Sequence, residues 1–143
     1  MIPRSIIELL VNIDAEVDRD KSESKDVERN IALLGLNGEE EMSHFFKRYD
    51  LGGIISNKNF ELLDLCGSND EIYETTDWAK DVYELPDGFV CLTSGEGEGF
   101  VLFSKIDGKV YDVSVSQFDD LSQGKVESRW NSYFDLIRWY LEE

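Results

Sequence analysis

Histidine is almost missing from this 143-residue chain, with His44 as its only representative. Imidazole is the side chain that most often moves protons near neutral pH, so histidine-based acid–base catalysis would have to rest on that one residue. His44 lies between Met42 and Phe45, off or at the edge of the apolar face that Met42, Phe45, Phe46 and Tyr49 form at helical spacing, and it reads as a boundary residue. Cysteine is nearly as scarce. Cys66 and Cys91 sit in apolar, strand-like runs, which indicates reduced, buried thiols in a cytoplasmic protein rather than a disulfide framework. Whether the two could reach one another is a matter of geometry that sequence does not define. With no CxxC or HExxH spacing and no D-x-[DN]-x-[DN]-G loop, neither zinc nor calcium has a ligand set, and the chain reads as metal-free and cofactor-free.

Long hydrophobic runs are also lacking. No stretch of about 18 apolar residues is present, which excludes a membrane-spanning helix. The short apolar segment from Ile6 to Ile13 contains Glu8 and Asn12 and has no small-residue cleavage site, so no signal peptide is expected. Basic residues are few: 14 Lys plus Arg stand against 31 Asp plus Glu, a net charge of −17. Such a field repels phosphate backbones and anionic lipid surfaces and favours a basic protein partner. The excess is uneven, net −5 over residues 1–50 and net −12 over residues 51–143.

What is present suffices for one packed domain, with 41% hydrophobic and 12% aromatic residues. Ile6, Leu9, Leu10, Ile13 and Val17 recur at helical spacing after Pro3 and predict an N-terminal helix. Asp18 to Arg29 alternates in sign and reads as a solvated helix surface or connector. Val27, Ile31 and Leu34 form a stripe that Gly35 stops; Asn37-Gly38 then turns the chain, and Glu39, Glu40 and Glu41 open the helix carrying Met42, Phe45, Phe46 and Tyr49. Beyond Asp50 the period changes. Short strands are expected at Gly53 to Ile55, Phe60 to Leu65 and Glu71 to Glu74, followed by a polar, acidic connection from Thr76. Gly88 to Thr93, Gly99 to Lys105 and Lys109 to Ser114 predict a three-stranded meander with a tight turn at Asp107-Gly108. A C-terminal helix follows, with Trp130, Phe134, Ile137 and Leu141 on one stripe.

Few residues carry a chemical signature. Gly95-Glu96-Gly97-Glu98-Gly99 resembles a phosphate-binding loop only in its glycines, because a strand rather than a helix N-terminus follows and two carboxylates interrupt; it reads as a hairpin loop. Ser94 and Ser104 lack an adjacent base in sequence, so a hydrolase triad has no parts. The outstanding feature is an acidic band. Asp64, Asp70, Glu71, Glu74, Asp77, Asp81, Glu84 and Asp87 face only Lys80, with Tyr73, Trp78 and Tyr83 interspersed. Rings supply anchor area and charges supply steering in protein interfaces, while the plainer reading turns Trp78 and Tyr83 inward and leaves the acids as solubilising charge. Asp70, Glu71, Glu74, Asp77, Trp78, Asp81 and Glu84 are the candidate partner-binding residues, with Asp119 and Asp120 as the second acidic candidate.

In this order the motifs resemble the SUKH superfamily, which includes bacterial toxin-immunity proteins and the yeast cell-wall regulator Smi/Knr. The resemblance runs from about Val27 to the C-terminus. It is carried by Leu34-Gly35-Leu36, the helix from Glu39 to Tyr49, Leu51-Gly52-Gly53, Trp78 ahead of Leu85-Pro86-Asp87-Gly88-Phe89-Val90, then Gly97-Glu98-Gly99-Phe100-Val101-Leu102, Gly108-Lys109-Val110-Tyr111-Asp112, and the aromatic stretch Trp130 to Leu141. It implies a single α+β domain with a twisted, mostly antiparallel sheet flanked by helices. It also implies a non-enzymatic binding role, most directly as an immunity protein that neutralises a cognate, nuclease-type toxin by contact; the acidic field matches a basic toxin, and the metal-free, cofactor-free chain is expected to be a monomer. A regulatory scaffold is the alternative within the resemblance. A small-ligand binder or enzyme with a carboxylate pocket is the alternative outside it.

Overall fold

Pro3, extended at φ −60° and ψ 144°, leads into helix α1, Arg4–Val11, which buries Ile6 and Leu10. The computed structural model describes residues 1–13, 17–52, 54, 56–67 and 69–142. Helix α2, Ser24–Leu33, buries Val27, Asn30 and Ile31 and ends as the sequence predicts, at Gly35 in the left-handed region with φ +73°. Helix α3, Glu41–Arg48, buries Met42, Phe45 and Phe46, with Tyr49 buried directly after its last turn. Helix α4 is Glu71–Tyr83, and a short helix α5 is Phe118–Ser122. The C-terminal helix α6, Tyr133–Leu141, begins at Ser132, whose hydroxyl accepts from the Asp135 N–H at 3.2 Å.

Three strands form one antiparallel sheet in the order β1 Phe89–Cys91, β2 Gly99–Ser104, β3 Val110–Ser114, the meander expected from the sequence. Val90 pairs with Phe103, and Leu102 with Tyr111. Successive side chains therefore divide between two cores. Val90, Leu92, Val101, Phe103 and Val110 join α1, α2, α3 and α6 in the larger one. Phe89, Cys91, Phe100, Leu102 and Val113 join Ala79 of α4, Leu85, and Phe118 and Leu121 of α5 in the smaller one. The chain is thus α+β, a sheet held between a thick and a thin layer of helix. Each edge strand is met at one point: the Thr76 hydroxyl accepts from the Cys91 N–H at 2.9 Å on the β1 side, and Val110 at the start of β3 bridges to Trp130.

Several expectations are corrected. Glu71 to Glu74 is the first turn of α4, not a strand, and the acidic connection after it is the same helix. Phe60 to Leu65 is irregular; Phe60 inserts among Trp130, Trp139 and Tyr140, while the Leu62 N–H donates to the Tyr140 hydroxyl at 3.2 Å. Of the strand expected at Gly53 to Ile55, Gly53 and Ile55 lie outside the described residues, and Ile54 is buried without strand pairing. Trp130 precedes α6 instead of belonging to it. Val17 lies outside α1. The β2–β3 turn is wider than a two-residue hairpin, since the Ser104 N–H closes it on the Lys109 carbonyl at 2.9 Å.

The polar run from Asp18 to Arg29 contains the largest departure. Arg19 is buried, not solvated. Its guanidinium donates to both carboxylate oxygens of Asp64 at 2.9 Å, to the Phe46 carbonyl at 2.9 Å and to the Tyr49 carbonyl at 2.9 Å. Burial alone would make the guanidinium easier to deprotonate, but the hydrogen bonds and charge of Asp64 outweigh it and raise the pKa. Charge neutralised by charge allows both groups inside the thick layer.

Candidate functional site

Helix α4 turns the acidic band into a surface with a phase. Its buried residues are Ile72, Thr76 and Ala79, spaced i, i+4, i+7, which lays one face on the sheet. Glu74, Asp77 and Asp81 follow the same rhythm on the opposite side, and Glu84 continues it at the helix end. All four are exposed. Ala79 and Thr76 are small enough to bring the helix axis close to β1, so the acidic ridge stands on a firmly packed base. The helix closes at Glu84, which sits in the left-handed region at φ +58°.

The other two acids proposed for this surface differ. The Asp70 carboxylate is held inside the chain: Arg29 donates to both its oxygens at 2.9 and 3.0 Å, and the buried Asn30 amide donates to it at 3.0 Å. Asp70 thereby ties the start of α4 to α2 and is not a free steering charge. Glu71 is half-buried in the first turn. The ridge is therefore shorter than the sequence band, and it begins at Glu74.

Trp78 is neither a core residue nor a free one, at 43% exposure. One side of the indole rests edge-on against Tyr83 at 5.3 Å and tilted against Phe100 at 6.5 Å; the remainder faces solvent. Val82, one helical turn further, is 54% exposed, so an apolar shoulder runs along the acidic ridge. Val82 carries no signal in the sequence, because its position becomes visible only once α4 has a helical phase. Such a pairing of a fixed aromatic ring with surrounding carboxylates supplies both anchor area and long-range attraction.

Asp119 and Asp120 are exposed in the first turn of α5. Phe100 links the two acidic groups: its ring lies 6.2 Å from Tyr83 of α4 and 5.9 Å from Phe118 of α5. The α4 ridge and the α5 pair thus belong to helices that cover the same face of the sheet.

The other candidates remain apart. His44 is half-exposed, with Nε2 3.6 Å from a carboxylate oxygen of Glu39. The Ser104 hydroxyl is buried in the β2–β3 turn, where it accepts from the Ile106 N–H at 3.2 Å, whereas Ser94 is exposed in the β1–β2 connection. The glycine run in that connection is a tight turn leading directly into β2, with Gly95, Gly97 and Glu98 all in the left-handed region at φ +84°, +67° and +60°. Among the described residues no three His, Cys, Asp or Glu side chains converge as a metal site would require. Cys66 and Cys91 are free and buried; burial pushes their thiols up to about 11 and about 12, respectively, so both are protonated and inert near neutrality. No described helix is long and apolar enough to cross a membrane. No family model, no curated protein and no solved structure matches the chain.

Proposed function

We propose that this protein is a non-enzymatic binding module whose α4 face docks a basic protein domain. The observation that carries the reading is the helical phase of α4, which places Glu74, Asp77, Asp81 and Glu84 on one exposed face beside the half-exposed Trp78 and Val82. The net charge of −17 extends the attraction beyond the contact itself. A nuclease-type toxin must present cations to phosphate, and an acidic ridge with an aromatic anchor is complementary to such a surface. The SUKH resemblance of the motif order supports an immunity role, exercised by a cytoplasmic monomer. The regulatory-scaffold reading shares that resemblance and the same face, and differs in the partner.

The test is co-expression with the product of the neighbouring reading frame, followed by association kinetics across a salt series. An immunity protein co-purifies with that product and suppresses its toxicity. Reversing Glu74, Asp77, Asp81 and Glu84 together slows association by about tenfold or more and flattens its salt dependence. Unchanged association in the reversed variant removes α4 as the docking face; binding without suppression of toxicity supports the scaffold instead.

A further inference from the structure

In this strongly acidic protein, two lysines converge on one small cavity. Lys80 reaches it from α4 and Lys105 from the turn after β2; Leu33, Phe89 and Val90 supply apolar wall, and its volume is about 150 Å³. At about 30 Å³ per water molecule, that is room for roughly five waters, or for one small organic group. We propose that this cavity is a carboxylate-binding site that takes a short aliphatic acid, its head between the two ammonium groups and its stem against the apolar wall.

The cations are positioned and incompletely neutralised. Lys105 Nζ donates to the Leu34 carbonyl at the end of α2, 2.8 Å away, which fixes the ammonium at the cavity. Gly35 keeps that space open: a side chain there would bring its Cβ to 3.1 Å from Lys105 Nζ, and the backbone at φ +73° is itself suited to glycine. The carboxylate nearest Lys80 is that of Asp87, at 4.0 Å and fully exposed, a weak neutraliser. Burial, and next the charge of Lys80, hold the Lys105 pKa below the usual lysine value against the opposite pull of Asp87 and Glu40, so the two lysines that line the cavity repel one another. An anion between them relieves that repulsion.

The chemistry of the walls selects the anion. A phosphate group wants donors on several sides, but the backbone N–H groups of Gly35 and Lys105 are already committed, to the Ala32 and Gly88 carbonyls. Asp77 on the lining penalises a second negative charge. Two ammonium donors together with an apolar wall that includes Leu33, 46% exposed, suit one carboxylate with a few methylenes. That chemistry can arrive as a free acid or as the chain end of a peptide.

The experiment is an amide NMR titration of the whole protein at low salt with butyrate, with inorganic phosphate, and with a short peptide ending in a free leucine carboxylate beside its amidated form. Saturable shifts at Gly35, Lys80, Phe89 and Lys105 with butyrate assign a free acid. Saturation by the free-carboxylate peptide alone assigns a chain end. Lys80→Gln weakens either interaction about tenfold, whereas Lys25→Gln, on the exposed surface of α2, leaves it intact; saturation also raises the Lys105 ammonium pKa. Shifts that stay linear, persist in Lys80→Gln or are stronger with phosphate overturn the proposal. The readout needs no protein partner, so its failure leaves the α4 docking reading untouched.

Discussion

Arg19 and Asp64, 45 residues apart, meet through two parallel hydrogen bonds of 2.9 Å, and the pair joins the polar segment before α2 to the irregular segment before α4. The same guanidinium donates to the carbonyls of Phe46 and Tyr49, so the end of α3 is clamped as well. Removing Arg19 leaves the Asp64 carboxylate buried without its cation, and removing Asp64 leaves the buried guanidinium with only Glu23, 3.2 Å away, so either loss costs more than the pair contributes. Arg19→Met and Asp64→Leu are each expected to lose about 3–5 kcal/mol of stability, a large part of what a domain of this size has. The double variant is expected to recover only part of that loss, because the Phe46 and Tyr49 carbonyls and the Leu51 N–H still lack the partners that the pair supplied. Urea unfolding of the three variants checks it, and simple additivity of the two losses would contradict the clamp.

Glu40 governs the turn into α3. Its carboxylate accepts from the N–H groups of Asn37 at 2.9 Å and Gly38 at 3.0 Å and from the Ser43 hydroxyl at 2.8 Å. Partial burial opposes ionisation, but these donors together outweigh it and hold the pKa below the ordinary glutamate value. A depressed folded-state pKa means stability that is fully present above the unfolded value and lost as pH falls through the folded one. Glu40→Gln should therefore be less stable than the parent near neutrality, by about 1–2 kcal/mol, with the gap closing in acid. Unfolding midpoints measured from neutral pH down through the carboxylate range test this.

Gly95 and Gly97 both lie in the left-handed region, at φ +84° and +67°, but only one is crowded. A Cβ on Gly95 would fall 2.5 Å from the tip of the buried Phe100 ring, whereas one on Gly97 meets nothing within 4 Å. Gly97→Ala is expected to cost about 1–2 kcal/mol from backbone conformation alone. Gly95→Ala adds an overpacking cost of about 1–3 kcal/mol. Equal thermal destabilisation of the two would show that the Phe100 contact carries no energy.

Trp78→Ala separates anchor from core. Full burial of the indole would make its truncation cost about 3–5 kcal/mol; at 43% exposure, resting on Tyr83 and Phe100, it is expected to cost about half that. With a bound basic partner, the same change raises the dissociation rate and costs about 2 kcal/mol or more of binding. Denaturation midpoints and dissociation kinetics on one variant give both numbers, and a full core-sized stability loss with unchanged dissociation would place the indole outside the interface.

The legible elements are those whose local pattern is strong. The meander can be read because β1 and β2 are short apolar, aromatic and β-branched runs buried on both faces, β3 alternates, and glycine-containing turns separate them; α3 can be read because Met42, Phe45, Phe46 and Tyr49 share one helical face. Helix α4 was obscured by its own packing. Its buried face includes Thr76 and Ala79, small residues that contribute no hydrophobic stripe, while Ile72, Tyr73, Thr75 and Thr76 favour strands. Once that segment is read as extended, the acidic residues have no common face. The individual site residues were therefore visible as types, but their arrangement was not.

Amino-acid order alone determined the acidic field, the scarcity of His and Cys, the central meander and the helices whose apolar residues repeat at helical spacing, because each depends on composition or on neighbours within a few turns. Tertiary structure decided what each charge does. It turned Arg19 inward to Asp64, committed Asp70 to Arg29 and Asn30, left Glu74, Asp77, Asp81 and Glu84 outside, and brought Lys80 to the same cavity as Lys105. The physical reason is range. A local pattern registers burial through its period, whereas the fate of a charge depends on whether a counter-charge, a carbonyl or water meets it, and those partners come from distant parts of the chain.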